Sequence, residues 1–360
     1  NGASYKILQE AGIDDADLII AVTGSDELNL LCCTIATQVG NCAAIARVRT
    51  PEYSQEAKYL RDKLGLALIM NPELEAAIEM AHILHLPSSL EVTNFAHGQA
   101  QLIKYEIPEG SILDGTKLMD LGTRHHANIL IGAVERDDEV TIPSGDFVLR
   151  KGDKLSFVGE RRHTKEFFSH IGVNTHSVKN TLIIGGGKAA YYLAKQLISR
   201  GIKVKIIENS FERCEELSIL LPDAVIINGD GTEQALLKEE GIETCQSFVP
   251  LTGIDEENIM LTLYAKQVSN AKVITKLNRI TFTNVINSLD LGSVISPKYI
   301  TSEAIIAYVR AKKNSMNCNI ETLYHMYDSR VEAIEFFVSE NSNVTDIPLR
   351  DLKLKKHLLI

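Results

Sequence analysis

Three consecutive glycines, Gly185, Gly186 and Gly187, precede Lys188, Ala189 and Ala190, and the run fits G-x-G-x-x-G/A with Ala190 at its third position. In such a run the first glycine permits a tight turn and the second lets a phosphate close on the backbone. A small third residue lets strand and helix pack. A helix opening here offers free N–H groups and the positive end of its dipole to that phosphate. Glu208 stands 21 residues after Gly187. A carboxylate at that spacing can hold both ribose hydroxyls of an adenosine and repels a 2′-phosphate, which favours NAD(H) or an adenine nucleotide over NADP(H). Glycine-rich turns also serve packing alone, so the motif has meaning only with the right elements around it.

Those elements are legible. Residues 181–184 (TLII) form a short apolar run expected as a buried parallel strand, and 188–199 carries a helical pattern. Strands follow at 203–207, 224–227, 247–251 and 272–275, and helices at 211–221, 234–240 and 256–267. This alternation predicts α/β architecture, a Rossmann-like doubly wound parallel sheet. Its ligand crevice lies outside the carboxyl ends of the strands. Topology therefore brings Asp230, Gly231 and Thr232 after the third strand, and Thr252 and Gly253 after the fourth, to the same edge. The alternative is that Asp230, Thr232 and Asp255 cap helices.

Comparing the chain with itself reveals a duplication. A shift of 229 residues places 2–45 on 231–274 without a gap, with identities that include Leu8/Leu237, Gly12/Gly241, Thr23/Thr252, Gly24/Gly253, Asp26/Asp255 and Asn29/Asn258. Residues 100–121 resemble 332–352 at a shift of 231. The unit is thus about 230 residues, and the alignment predicts that the chain enters the first unit about 50 residues in and ends inside the second unit's small domain. In the first unit only Gly2, Ala3, Ser4 and the segment from Thr23 and Gly24 to Asp26 remain of the site. Between the Rossmann-like parts, the runs LIKYEI, ILIGAVE, FVLR and KLSFVG predict the strands of a small α+β, β-rich domain.

Composition narrows the function. Apolar residues at 45% and charged residues at 23% describe full cores, and a net charge of −10 argues against nucleic acid. No run is long and apolar enough to span a membrane, and no signal peptide is expected. The six cysteines lack metal or disulfide spacing and are expected as reduced thiols; His82, His85, His125 and His126 match no recognised ligand spacing, so no metal is expected.

The segments IIGGGK at 183–188, NGDGT at 228–232, AVTGSDELN at 21–29 and IARVR at 45–49 resemble those of the TrkA regulatory subunits of Trk-type potassium uptake systems. The resemblance covers the whole chain. It implies tandem RCK (KTN) domains, each followed by a TrkA_C domain: residues 1–95, 96–172, 178–318 and 319–360. It further implies regulatory binding of NAD(H), ATP or ADP, assembly into a homo-oligomeric ring read as a tetramer of tandem units, and gating of a separate membrane-embedded potassium-translocating subunit. Such a protein is cytoplasmic and peripheral on the inner face of the bacterial inner membrane. Carried over, Gly185, Gly187, Glu208, Asp230 and Thr232 hold the nucleotide, with Gly186, Ala189, Asn209 and Arg213 beside them. Many family members have Arg where Lys188 stands, which leaves nucleotide preference open because Lys lacks the bidentate fork.

Two other readings stay open: an RCK-type regulator of another cation channel or antiporter, and an NAD-dependent oxidoreductase. Against an enzyme, no acid–base set recurs between the copies, where Arg124-His125-His126 corresponds to Lys355-Lys356-His357. Apolar stripes on the helices near 74–84 and 304–308 are expected to pair copies of the chain.

Overall fold

The computed structural model describes residues 1–40, 42–86, 88–95, 99–124, 128–173, 175–279, 286, 289–314, 320–327, 330–336, 338, 342, 344–352 and 359–360. His125, His126, Cys318 and the Lys355-Lys356-His357 run lie outside them. The chain divides into two compact units, one of residues 1–78, 180–270 and 274–301, the other of 79–179, 271–273 and 302–360.

The first lobe runs α1 (Tyr5–Glu10), β1 (Leu18–Ala21), α2 (Asp26–Val39), β2 (Ala43–Arg47), α3 (Pro51–Gln55), α4 (Ala57–Leu64), β3 (Leu68–Met70) and α5 (Pro72–His85). Its strands pair in parallel in the order β1-β2-β3. Helix α2 begins where it does because the Ser25 hydroxyl accepts from the Leu28 N–H at 3.1 Å, with Asp26 and Glu27 in the first turn. In α5, Ala77, Ala81 and Leu84 are fully buried within the chain itself. Leu74 and Ile78 of the same stripe are half-buried.

The small domain contains β4 (Glu91–Phe95), β5 (Ala100–Glu106), α6 (Leu118–Arg124), β6 (Leu130–Arg136), β7 (Glu139–Thr141), β8 (Lys154–Glu160) and α7 (Arg161–His170). The strands form an antiparallel sheet ordered β4-β5-β8-β6-β7. Period-2 alternation sends Ile103, Tyr105, Leu155 and Phe157 to the face that α7 covers with Phe167 and Phe168. The rings meet edge-on, Phe157 to Phe167 at 5.6 Å and Tyr105 to Phe168 at 5.2 Å. Residues 147–150, expected as a strand, form none: only an isolated bridge joins Val148 to Lys117, and the surrounding carbonyls accept from Gly115 and Leu118. Strands β4 and β7 and helix α7 carry no clear signal in the sequence.

The second lobe holds β9 (Asn180–Ile184), α8 (Lys188–Ile198), β10 (Lys203–Glu208), α9 (Phe211–Leu220), β11 (Val225–Asn228), α10 (Gln234–Glu239), β12 (Ser247–Pro250), α11 (Asp255–Val268), β13 (Lys272–Lys276), β14 (Ser293–Ile295) and α12 (Pro297–Asn314). Its sheet runs β11-β10-β9-β12-β13-β14, the 3-2-1-4-5-6 order of a doubly wound fold. The bounds of α1, β1, α2 and β2 each recur 229 residues later in α10, β12, α11 and β13. On α12, Ala304 is exposed, and Ile305 and Tyr308 are half-buried.

A hairpin, β15 (Ile320–Met326) and β16 (Val331–Phe336), belongs to the same unit as the small domain and packs on the sheet face opposite α7, where Leu102 and Ala133 meet Met326 and Tyr327. The Tyr327 hydroxyl accepts from Ser156 Oγ at 2.7 Å and donates to the Lys154 carbonyl at 2.9 Å, while Arg330 donates to Glu135 at 2.8 Å.

Candidate functional site

The glycine loop leaves β9 as the sequence predicts. The Gly185 N–H donates to the Ile207 carbonyl at 2.8 Å, and its φ of 94° suits glycine. A β-carbon there would also stand 3.0 Å from the Leu251 carbonyl oxygen. Gly186 is fixed from both sides: its N–H donates to Glu208 Oε2 at 2.6 Å, and its carbonyl accepts from Arg213 Nε at 2.7 Å. Gly187 precedes α8, and it is the one position of the three where a β-carbon would meet nothing within 4 Å, which leaves the helix N-terminus open on that side. Ala189 and Ala190 are buried against the sheet.

Glu208 ends β10, and its second oxygen accepts from the Ser210 N–H at 2.8 Å. Both oxygens are thereby oriented, and each keeps a further lone pair for a ribose hydroxyl. Asn209 is exposed, and its carbonyl accepts from Asn228 Nδ2. Arg213 is committed to the Gly186 carbonyl and to Glu216, so it positions the loop. Asp230 Oδ1 accepts from Thr232 N–H and Oγ1 at 2.8 and 2.7 Å, and those hydrogen bonds hold its carboxyl below the usual aspartate range. Gly231 is obligatory for packing, since a β-carbon would lie 2.3 Å from Ile184 Cγ2.

The identities between the two copies prove to be a brace. Asn258, fully buried in α11, accepts from the Thr252 N–H at 2.9 Å and donates to the Lys276 carbonyl at 3.0 Å. Asn29 does the same for Thr23, at 2.7 Å, and for the Arg47 carbonyl, at 2.9 Å. Asp255 does not cap α11. Its carboxylate accepts instead from the backbone N–H groups of Asn278 and Arg279, each at 2.8 Å. Asp26 likewise takes the N–H groups of Arg49 and Thr50 and the Thr50 hydroxyl. Burial raises the Asp26 pKa, but those hydrogen bonds and the Lys188 charge outweigh it and leave the carboxyl below its ordinary value. Asp230 and Thr232 also turn out to close a turn, since α10 is preceded by Glu233. Asn1 repeats this, accepting from the Ala3 N–H at 3.0 Å. Gly2 packs against Cys32, Ser4 precedes α1 without a side-chain cap, and Gly24 and Gly253 face open space.

Sequence reasoning missed the contacts between the two lobes. Lys188 Nζ is directed away from its own loop, donating to Thr50 Oγ1 at 3.3 Å. The buried Tyr192 hydroxyl donates to the Arg49 carbonyl and accepts from Asn71 Nδ2, both at 2.9 Å. Around them Arg47 Nε, Arg49 Nε and Glu73 Oε2 are buried without a hydrogen-bond partner among the described residues. Burial pushes the Lys276 ammonium down against the opposing pull of Asp255 and Glu73. A hydroxyl in an otherwise apolar helix stripe at Tyr192 was the available signal. Among the described residues no three His, Cys, Asp or Glu groups converge on a metal site.

A family model described as the TrkA-N domain matches residues 1–72 and 181–297, and one described as the TrkA-C domain matches 102–172. The Trk system potassium uptake protein TrkA homolog 1 of Methanosarcina mazei is 33% identical over 100% of this chain and 80% of its own length. Among solved structures, the GsuK RCK domain superposes with a TM-score of 0.67 at 18% identity, covering 89% of this chain and 70% of that one. The GsuK channel bound to NAD gives 0.65 at 20% identity, covering 88% and 55%. These two likenesses establish the fold. The model matches, with a third of residues identical to a relative along the full length, establish the lineage: the chain belongs to the TrkA family.

Proposed function

We propose that this chain is a regulatory subunit that binds an adenine nucleotide in the crevice of its second lobe and passes the resulting change of shape to a membrane-embedded potassium-translocating partner. The observation that carries the reading is the Glu208 carboxylate, oriented by the Gly186 and Ser210 N–H groups beside the open Gly187 turn. NAD bound to a channel of the same fold, and the name of the Methanosarcina mazei relative, support it. Gly185, Gly187, Glu208, Asp230 and Thr232 form the nucleotide site in this reading, with NAD(H), ATP or ADP as ligand, and Gly186 and Arg213 hold the loop. The division at 1–95, 96–172, 178–318 and 319–360, assembly into a ring, a place on the cytoplasmic face of the membrane and the lack of turnover belong to the same proposal.

A ligand shifts a two-state protein only through its differential affinity for the two states, so two nucleotides of different charge in one crevice can drive it in opposite directions. The test has two parts. Calorimetry of the full chain with NADH, ATP and ADP should show binding, and Glu208→Ala should weaken it by about 1.5–3 kcal/mol, the worth of a charge-assisted contact. Potassium flux through the reconstituted partner should then change when one nucleotide replaces another. Unaltered affinity in the variant removes the site assignment. Flux indifferent to every nucleotide, or steady oxidation of NADH by the chain alone, removes the regulatory reading.

A further inference from the structure

Glu208 and Asn228 stand opposite each other in the parallel register of β10 and β11, and β11 is the edge of its sheet. The ladder ends one residue on, where the Gly229 N–H donates to the Glu208 carbonyl at 3.0 Å. Beyond that point the backbone ladder no longer fixes the turn through Asn209 and Ser210. The Asn228 side chain continues it. Its Nδ2 donates to the Glu208 carbonyl and to the Asn209 carbonyl, each at 3.1 Å. Both groups are carbonyls, which only accept, so the amide has one admissible orientation. The buried Cys214 thiol lies against the same pair, donating to the Glu208 carbonyl at 3.4 Å and standing 3.6 Å from Asn228 Nδ2.

The turn held in this way decides where the Glu208 carboxylate stands. Oε1 accepts from the Ser210 N–H at 2.8 Å and Oε2 from the Gly186 N–H at 2.6 Å. Ser210 Oγ accepts in turn from the Arg213 N–H at 3.3 Å, and Arg213 Nε donates to the Gly186 carbonyl at 2.7 Å. These four contacts close a ring through Glu208, Ser210, Arg213 and Gly186. Ser210 is the member that moves with the turn. Were the Asn209 peptide to rotate, the Ser210 N–H would leave Oε1, and the carboxylate could swing about its remaining contact. Asn228 is exposed, and water can replace it on both carbonyls, so its loss costs the fold little. What the side chain supplies is preorganisation of the carboxylate, which lowers the cost of ordering it around a ligand.

We propose that Asn228 is a positioning residue for ribose recognition, extending the β10–β11 ladder by one side chain so that both Glu208 oxygens meet the ribose hydroxyls at once. The role rests on the nucleotide reading of the crevice. Its readout is the ribose preference, the ratio of the affinity for ADP to that for 2′-deoxy-ADP, measured by calorimetry on the full chain. In the parent ADP should bind about tenfold more tightly or better, the worth of one charge-assisted hydrogen bond. Asn228→Ala should lower that ratio about threefold or more, by weakening ADP more than 2′-deoxy-ADP. Asn228→Asp keeps nearly the same shape without a donor and should lower it likewise; its added charge acts on both ligands alike and cancels in the ratio. A ratio unchanged in both variants, whether or not the two affinities fall together, overturns the proposal. Glu208→Ala separates the two levels. If it abolishes the ratio while the Asn228 variants keep it, the site stands and the role of Asn228 falls. If it too keeps the parent's ratio, or the parent shows none, the assignment of Glu208 to the ribose falls and this role with it.

Discussion

Replacing Asn258 by alanine should loosen the strand ends that frame the crevice without touching the glycine loop. The side chain is fully buried and serves four groups: Thr252 N–H and Oγ1 at 2.9 Å, the Lys276 carbonyl at 3.0 Å and the Thr252 carbonyl at 3.3 Å. Truncation leaves the Thr252 N–H and the Lys276 carbonyl without partners. Each unmade buried group costs about 1–3 kcal/mol, and Thr252 is half-buried, so some water returns. The sum is about 2–4 kcal/mol. Asn29→Ala should cost less, because Arg47 Nη2 still donates to the Thr23 carbonyl at 2.6 Å, whereas Lys276 Nζ reaches the Leu251 carbonyl instead, at 3.4 Å, and leaves the Thr252 carbonyl to Asn258. Urea unfolding gives the global loss, and hydrogen exchange in peptides spanning 252–258 and 272–277 isolates the local one in a chain of several lobes. A loss below about 1 kcal/mol, or exchange in those peptides no faster than in the parent, refutes the brace.

Further outcomes follow from the same geometry. Tyr192→Phe removes the hydroxyl shared by Arg49 and Asn71 and should cost about 1–2 kcal/mol in thermal unfolding, and a melting curve like the parent's would contradict that. Gly185→Ala sets a β-carbon against the Leu251 carbonyl at a φ of 94° and should cost about 1–3 kcal/mol, visible in the same assay. Asp26 has a folded pKa below its ordinary 3.8, so its contribution is complete above that value and is lost as pH falls through the folded one. Asp26→Asn should therefore be less stable than the parent at pH 7, with the gap closing as pH falls below 3.8 in acid titrations of unfolding; a pH-independent gap would exclude Asp26 as its source.

How much of this was legible depends on what kind of signal each residue carries. The glycine loop and Glu208 were readable because backbone conformation and spacing leave few alternatives: no other residue type meets the Leu251 carbonyl so closely at Gly185. The shared Asn, Asp and Thr positions were readable as important but not as braces. Asp255 followed by Glu256 looks like a helix cap in one dimension, and only the return of the chain at Asn278 discloses its partner. Residues 147–150 alternate like a strand, yet no neighbouring strand is free to pair with them beyond one bridge. Tyr192, Lys188 and Arg213 act across 143, 138 and 27 positions of chain, distances over which no local pattern speaks.

The hairpin of β15 and β16 also bears on the order in which the molecule forms. Its anchoring hydroxyl pair, Ser156 and Tyr327, is separated by 171 residues. Closing so long a loop costs entropy before any contact returns it, and contacts of such separation form late. During synthesis the sheet of β5, β6 and β8 is finished long before residues 320–336 exist, and its Leu102 and Ala133 face waits uncovered while the whole second lobe is made. The hairpin then acts as a clasp closed last. Until it closes, that sheet face stays open to mispairing with a neighbouring nascent chain.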